Sequence, residues 1–109
     1  MNKDLEQAKA LLENNEEYTC AACRVGETFV SEEHGVRPLM RWLNKGTDLS
    51  GASAADRIVG KAAAFLYVLL GVRTVYAPLM SVPARETLRV HGIEAIADTV
   101  VPAIRNRTD

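Results

Sequence analysis

The sequence predicts an α/β fold, a three-layer α/β/α sandwich built on a mixed sheet. Three stretches point to it. Ser53 to Gly71, SAADRIVGKAAAFLYVLLG, is apolar nearly all round after a polar beginning, the pattern of a buried helix with one wet end. Tyr18 to Ser31 alternates like two short strands pivoting at Gly26. Arg73 to Ala97 reads strand, helix, strand, which calls for a parallel pair and a crossover.

Taken in order, Lys3 to Asn14 places Leu5, Ala8, Leu11 and Leu12 on one helical face, and Asn14 and Asn15 supply a stop. Tyr18 to Val25 and Glu27 to Ser31 form an antiparallel hairpin. Gly35 breaks the second strand. Pro38 then suits the first turn of a short helix with Leu39, Met40, Trp42 and Leu43 on its apolar side, ended by Gly46. Trp42 is an anchor in or beside the core, and TDLSGA, residues 47–52, is a connector of ordinary length. The central helix is expected from Ser53, its N-cap, with Asp56 three residues on as the acidic partner of a capping box. Arg73 to Leu79 is a strand buried on both faces. Val82 to His91 is a helix with Ser81 at its cap, Ile93 to Ala97 a last strand, and the tail after Pro102 adds one helical turn. About four strands with helices on both faces result.

Composition narrows the function classes. The chain of 109 residues carries 13 basic and 14 acidic side chains, a net charge of -1, so no basic surplus supports nucleic-acid binding. The N-terminus has no apolar run of a leader, and the longest apolar run, Ala62 to Gly71, is shorter than the ~20 residues a membrane span needs. A cytoplasmic protein with no nucleic-acid or membrane partner is expected. Cys20 and Cys23 form a CxxC, but three residues apart on a strand they point to opposite faces, which suits buried packing better than redox or zinc chemistry.

The blocks GVRPLMRWL (35–43), GASAADRIVGKAAAFLYVLLGV (51–72), YAPLMS (76–81) and IRNR (104–107) resemble a family of small prokaryotic proteins of unknown function. The resemblance runs from about Leu5 to Arg107, and Asn106 and Arg107 match its terminal block. It implies a cytidine-deaminase-like fold. Deaminases of that fold hold zinc through H-x-E or C-x-E at the start of one helix and P-C-x-x-C at the start of the next. On this reading the two places fall on Ala54-Ala55-Asp56 and on Ser81-Val82-Pro83-Ala84, neither with a zinc ligand. No metal, cofactor or catalytic residue is therefore expected, and zinc-dependent deamination is not.

Two functions follow. The first is a metal-free protein that binds a small molecule, nucleotide-like or anionic, between helix N-termini near Ser53 and Ser81. Its candidate contacts are Arg37, Ser53, Ala55, Asp56, Lys61 and Ser81. Each has a structural alternative: Asp56 and Ser81 as caps, Arg37 as a surface charge, and Lys61 as one of a solvated pair with Arg57, four residues before it, or as a contact to a partner subunit. Gly60, inside the expected helix, points to close packing against another backbone. The second function is a homo-oligomeric structural or regulatory module whose pocket is vestigial.

Overall fold

The computed structural model describes residues 2–104. Its elements are α1 (Lys3–Asn14), β1 (Cys20–Arg24), β2 (Glu27–Ser31), α2 (Arg37–Lys45), β3 (Ser53–Asp56), β4 (Ile58–Val59), α3 (Lys61–Leu70), β5 (Thr74–Ser81), α4 (Val82–Val90) and β6 (Glu94–Val101). The fold is a mixed α/β sandwich with a six-stranded sheet and helices on both faces.

β1 is antiparallel to β2 and to β3, while β3, β4 and β6 are all parallel to β5. Ala55 pairs with Tyr76 and Ile58 with Leu79, one unchanged register, so β4 continues β3 after a break at Asp56 and Arg57. The break lies opposite Pro78, which has no N–H to give the ladder. β6 pairs along the whole of β5 and occupies its other side.

α1 alone covers one face, setting Leu5, Ala8 and Leu12 on Ala21, Cys23, Ala55 and Tyr76. α2, α3 and α4 cover the other, with Leu39, Trp42, Ala64, Tyr67 and Leu88 packed on Cys20, Ala54, Val75 and Ala77. The sheet residues beneath the helices are mostly small, which lets both layers approach closely. Asn2 caps α1, accepting from the Leu5 N–H at 3.0 Å, and donates to the hydroxyls of Ser53 at 2.8 Å and Thr74 at 3.2 Å. Asp4 accepts from the backbone of Val25 and Gly26 at the hairpin tip, where both residues have positive φ, 49° and 82°. That is the dihedral pattern of a tight hairpin turn whose twist matches its strands.

α1, the hairpin, α2 and α4 fall where the sequence places them, and Ser81 caps α4 by accepting from the Ala84 N–H at 3.1 Å. Cys20 and Cys23 face opposite cores, both buried and both free. The start of the central helix is corrected. Ser53–Asp56 and Ile58–Val59 are strands, α3 begins at Lys61 with Gly60 as N-cap, and Ser53 and Asp56 form no capping box. Tertiary context overrides helix propensity here. Ser53 to Asp56 lie between β1 and β5, and pairing on both sides outweighs the preference of two alanines for a helix.

Three smaller expectations change with it. Arg57 precedes the helix, so it forms no stripe with Lys61. Gly60 meets a side chain and no second backbone: a Cβ placed on it would lie 3.7 Å from Ile104. The sheet gains two strands, β3 between β1 and β5 and β4 beside β5, and β5 and β6 run on to Ser81 and Val101. Residues 102–104 are not helical, and Asn106 and Arg107 lie outside the described residues. Among the described residues no helix is long and apolar enough to cross a membrane.

Candidate functional site

The six candidate residues do not share one pocket. Ser53 and Ala55 are buried and point toward α1, Ser53 being occupied by Asn2. Ser81 is buried as the cap of α4. Arg37 and Lys61 are exposed, each the first residue of its helix, and they line separate grooves. Asp56 sits at the end of β3 on the face covered by α2, α3 and α4.

Asp56 is the centre of a polar cluster in that otherwise apolar layer. Tyr67 reaches from α3 and donates its hydroxyl to Asp56 Oδ2 at 2.7 Å. The backbone N–H groups of Ile58 and Arg57 also favour the carboxylate. Burial nevertheless dominates and pushes the Asp56 carboxyl from 3.8 up to about 7, against those hydrogen bonds and the Arg57 charge. Cys20, its neighbour across β1 and β3, is pushed well above the ordinary thiol range by burial and by the Asp56 charge. Tyr67 is likewise raised by burial and then by Asp56. A thiol held so firmly neutral is not a nucleophile. Tyr67 is fully buried and Asp56 partly so, and among the described residues no buried side-chain N or O atom lacks a hydrogen-bond partner.

Arg57 acts on the opposite side of the break. Its Nε donates to the Tyr18 carbonyl at 2.9 Å, and its Nη2 donates to the carbonyls of Leu12 at 2.9 Å and Asn15 at 3.1 Å. The Leu12 and Asn15 carbonyls lie at the end of α1, which has no basic residue of its own in its last turn, and Tyr18 lies in the connection to β1. The interruption between β3 and β4 thus turns Asp56 toward α3 and Arg57 toward α1.

None of the helix starts on this face carries a zinc-ligand set. With α3 beginning at Gly60-Lys61-Ala62-Ala63, the place compared with H-x-E moves there, and it holds no His, Cys or Glu. Ser81 to Ala84 at α4 and Val36 to Leu39 at α2 hold none either. Among the described residues no group of three His, Cys, Asp or Glu side chains is arranged to hold a metal ion.

Two shallow grooves lie on the surface of the described residues. One is a shallow groove of about 330 Å³ between α3 and α4, lined by Lys61, Phe65, Pro83, Glu86, Val90 and their neighbours. Phe65 is 48% exposed and Val90 81%, and Leu69, one turn beyond Phe65, is 69% exposed. The other groove, about 360 Å³, runs along α2 past Glu33, Arg37, Arg41 and Lys45. Sequence reading missed Tyr67 and the α3 face. A tyrosine in an otherwise apolar helix needs a partner for its hydroxyl, and that was the available signal for the first. Nothing marked the second, because a helix apolar all round does not reveal which side is covered.

The fold is an α/β sandwich of the kind deaminases adopt, and the helix starts compared with their metal-binding positions carry no ligand residues here. Comparison with known proteins agrees. The model of the family TM1506, domain of unknown function DUF1893, matches residues 7–109, and the chain belongs to that family. The crystal structure of a DUF1893 family protein from Thermotoga maritima superposes with a TM-score of 0.85 at 22% identity, over 98% of this chain and 72% of that one. A dCMP deaminase from the cyanophage S-TIM5 superposes with a TM-score of 0.57 at 12% identity, over 87% and 94%. A Thermotoga maritima diaminohydroxyphosphoribosylaminopyrimidine deaminase/5-amino-6-(5-phosphoribosylamino)uracil reductase gives 0.56 at 18% identity, over 87% of this chain and 35% of that one. At these identities the likeness concerns the fold. No curated protein sequence matches.

Proposed function

We propose that this chain is a metal-free interaction module that works by pairing with a second copy of itself through the outer face of α3 and α4. The observation that carries the reading is the exposure of Phe65, Leu69 and Val90 on adjoining helices. Covering such side chains is worth ~1.5–3 kcal/mol each, and an uncovered cluster of them marks an association surface. The face also carries its own complement. Lys61 and Glu86 lie on the same groove, and a two-fold axis through its apolar centre brings the Lys61 of each copy toward the Glu86 of the other. The reading is also supported by the helix starts on this face, which hold no His, Cys or Glu side chains. Analytical ultracentrifugation of the chain and of Leu69→Glu tests it. The chain is expected to sediment as a dimer and the variant as a folded monomer; a monomeric parent chain refutes the reading.

A second reading, binding of a small anionic ligand, is favoured by the start of α3. Gly60 gives it no side-chain cap, its first turn has no acidic residue, and Lys61 stands at its first position, where the helix dipole already favours an anion. Nucleotides are the class suggested by the dCMP deaminase of the same fold. A thermal-shift screen of nucleotides, phosphate and carboxylates supports this reading if it finds a stabilising compound whose effect is lost in Lys61→Gln. No shift across the screen removes it.

A further inference from the structure

Helix α2 carries Arg37, Arg41 and Lys45 at intervals of four residues, one cation per turn on one exposed side. Like charges at this spacing repel, and Arg37 at the first position also opposes the helix dipole. Lys45, in the last turn, suits the dipole, so the helix accounts for that cation and not for the row. The row flanks the groove along α2, whose apolar part is formed by Val36 and Met40, with Met40 43% exposed.

One carboxylate is already held there. Glu33, from the β2–α2 connection, accepts from Arg41 Nε at 2.8 Å and Nη2 at 2.6 Å, a paired geometry that suits carboxylate recognition. The Arg41 hydrogen bonds hold the Glu33 carboxyl below the usual range, and the charges of Arg37 and Lys45 add to the effect. One carboxylate thus faces three cations. Among the described residues neither Arg37 nor Lys45 has an ion-pair partner.

We infer that the α2 groove docks an acidic segment of a partner polypeptide, with two carboxylates meeting Arg37 and Lys45 and an apolar side chain between them resting on Val36 and Met40. Arg37 and Lys45 are two turns apart, ~12 Å along the helix. Residues eight apart on a partner helix, or four apart on an extended strand, span the same distance. The apolar floor suits a polypeptide better than a phosphate backbone, and the net charge of -1 leaves no wider basic field to follow one. The inference stands apart from the α3 and α4 interface.

The test uses the whole chain and a dye-labelled synthetic helical peptide with two glutamates eight residues apart and a leucine midway, read by fluorescence anisotropy. Saturable binding is expected, weakened about tenfold or more in Arg37→Gln/Lys45→Gln and by a rise from low to physiological salt. Glu33→Gln removes the internal competitor and is expected to tighten binding several-fold. The inference is overturned if a peptide with glutamine in place of both glutamates binds equally well, or if the double variant binds like the parent. It is also overturned if single-stranded RNA binds tighter than the peptide, or if the double variant only disperses copies of the chain that never bound it.

Discussion

Replacing Asp56 by Asn isolates the energetic cost of the buried cluster. The carboxyl titrates at about 7 in the folded chain against 3.8 ordinarily, and each unit corresponds to ~1.4 kcal/mol, so the whole difference is about 4 kcal/mol. The sign follows from which state holds the proton. Between pH 4 and 7 the folded chain keeps a proton that the unfolded chain has released, so stability falls as pH rises, by up to ~1.4 kcal/mol per unit. The stabilisation is complete below about pH 4 and lost above about 7. Cys20 and Tyr67, the titratable groups facing Asp56, are both pushed upward and stay neutral across this window. Glu33 and Asp48 are held below their ordinary values and act only at lower pH. Asn keeps a carbonyl for the Tyr67 hydroxyl and carries no charge. Urea unfolding from pH 4 to 9 is expected to show a declining profile for the parent chain and a flatter one for Asp56→Asn. The variant gains up to about 4 kcal/mol at pH 8 and less than ~1 kcal/mol at pH 4. Parallel profiles refute the argument.

Arg57→Met keeps the aliphatic stem but leaves the carbonyls of Leu12 and Tyr18 without this donor, while Asn15 keeps the Tyr18 N–H; a loss of about 2–4 kcal/mol is expected in urea unfolding, with faster amide exchange in α1. Gly71 closes α3 at φ 78° with Ser50 close by, so Gly71→Ala is expected to cost about 1 kcal/mol or more. Gly60 has φ -96° and room in front of it, so Gly60→Ala is expected to shift stability by less than ~0.5 kcal/mol, as read from the two melting temperatures.

Local chemistry made most of the fold legible. The period of Leu5, Ala8 and Leu12, the turn at Gly26, the Pro38 start and Gly46 stop of α2, and the Ser81 cap are all decided within a few residues. The strand at 53–56 is decided by its neighbours. Its alanines take strand geometry because β1 and β5 lie on either side, and a window of sequence does not contain that fact. One signal was present: the β-branched pair Ile58-Val59 followed by Gly60 reads as the end of a strand and the beginning of a helix. Misplacing that junction also misplaced the candidate site, since Ser53, Ala55 and Asp56 were set in one helical turn. In the strand, alternation sends the first two to one face and Asp56 to the other. Asp56 kept its importance because a carboxylate in an apolar layer must find partners wherever the backbone carries it.

The most direct test of the central claim is sedimentation equilibrium of the chain beside Leu69→Glu, with circular dichroism to verify folding. Self-association through α3 and α4 predicts a dimer for the parent chain, dissociating in the micromolar range or below, and a folded monomer for the variant. A parent chain that remains monomeric at high concentration, or a Leu69→Glu variant that dimerises equally well, contradicts it.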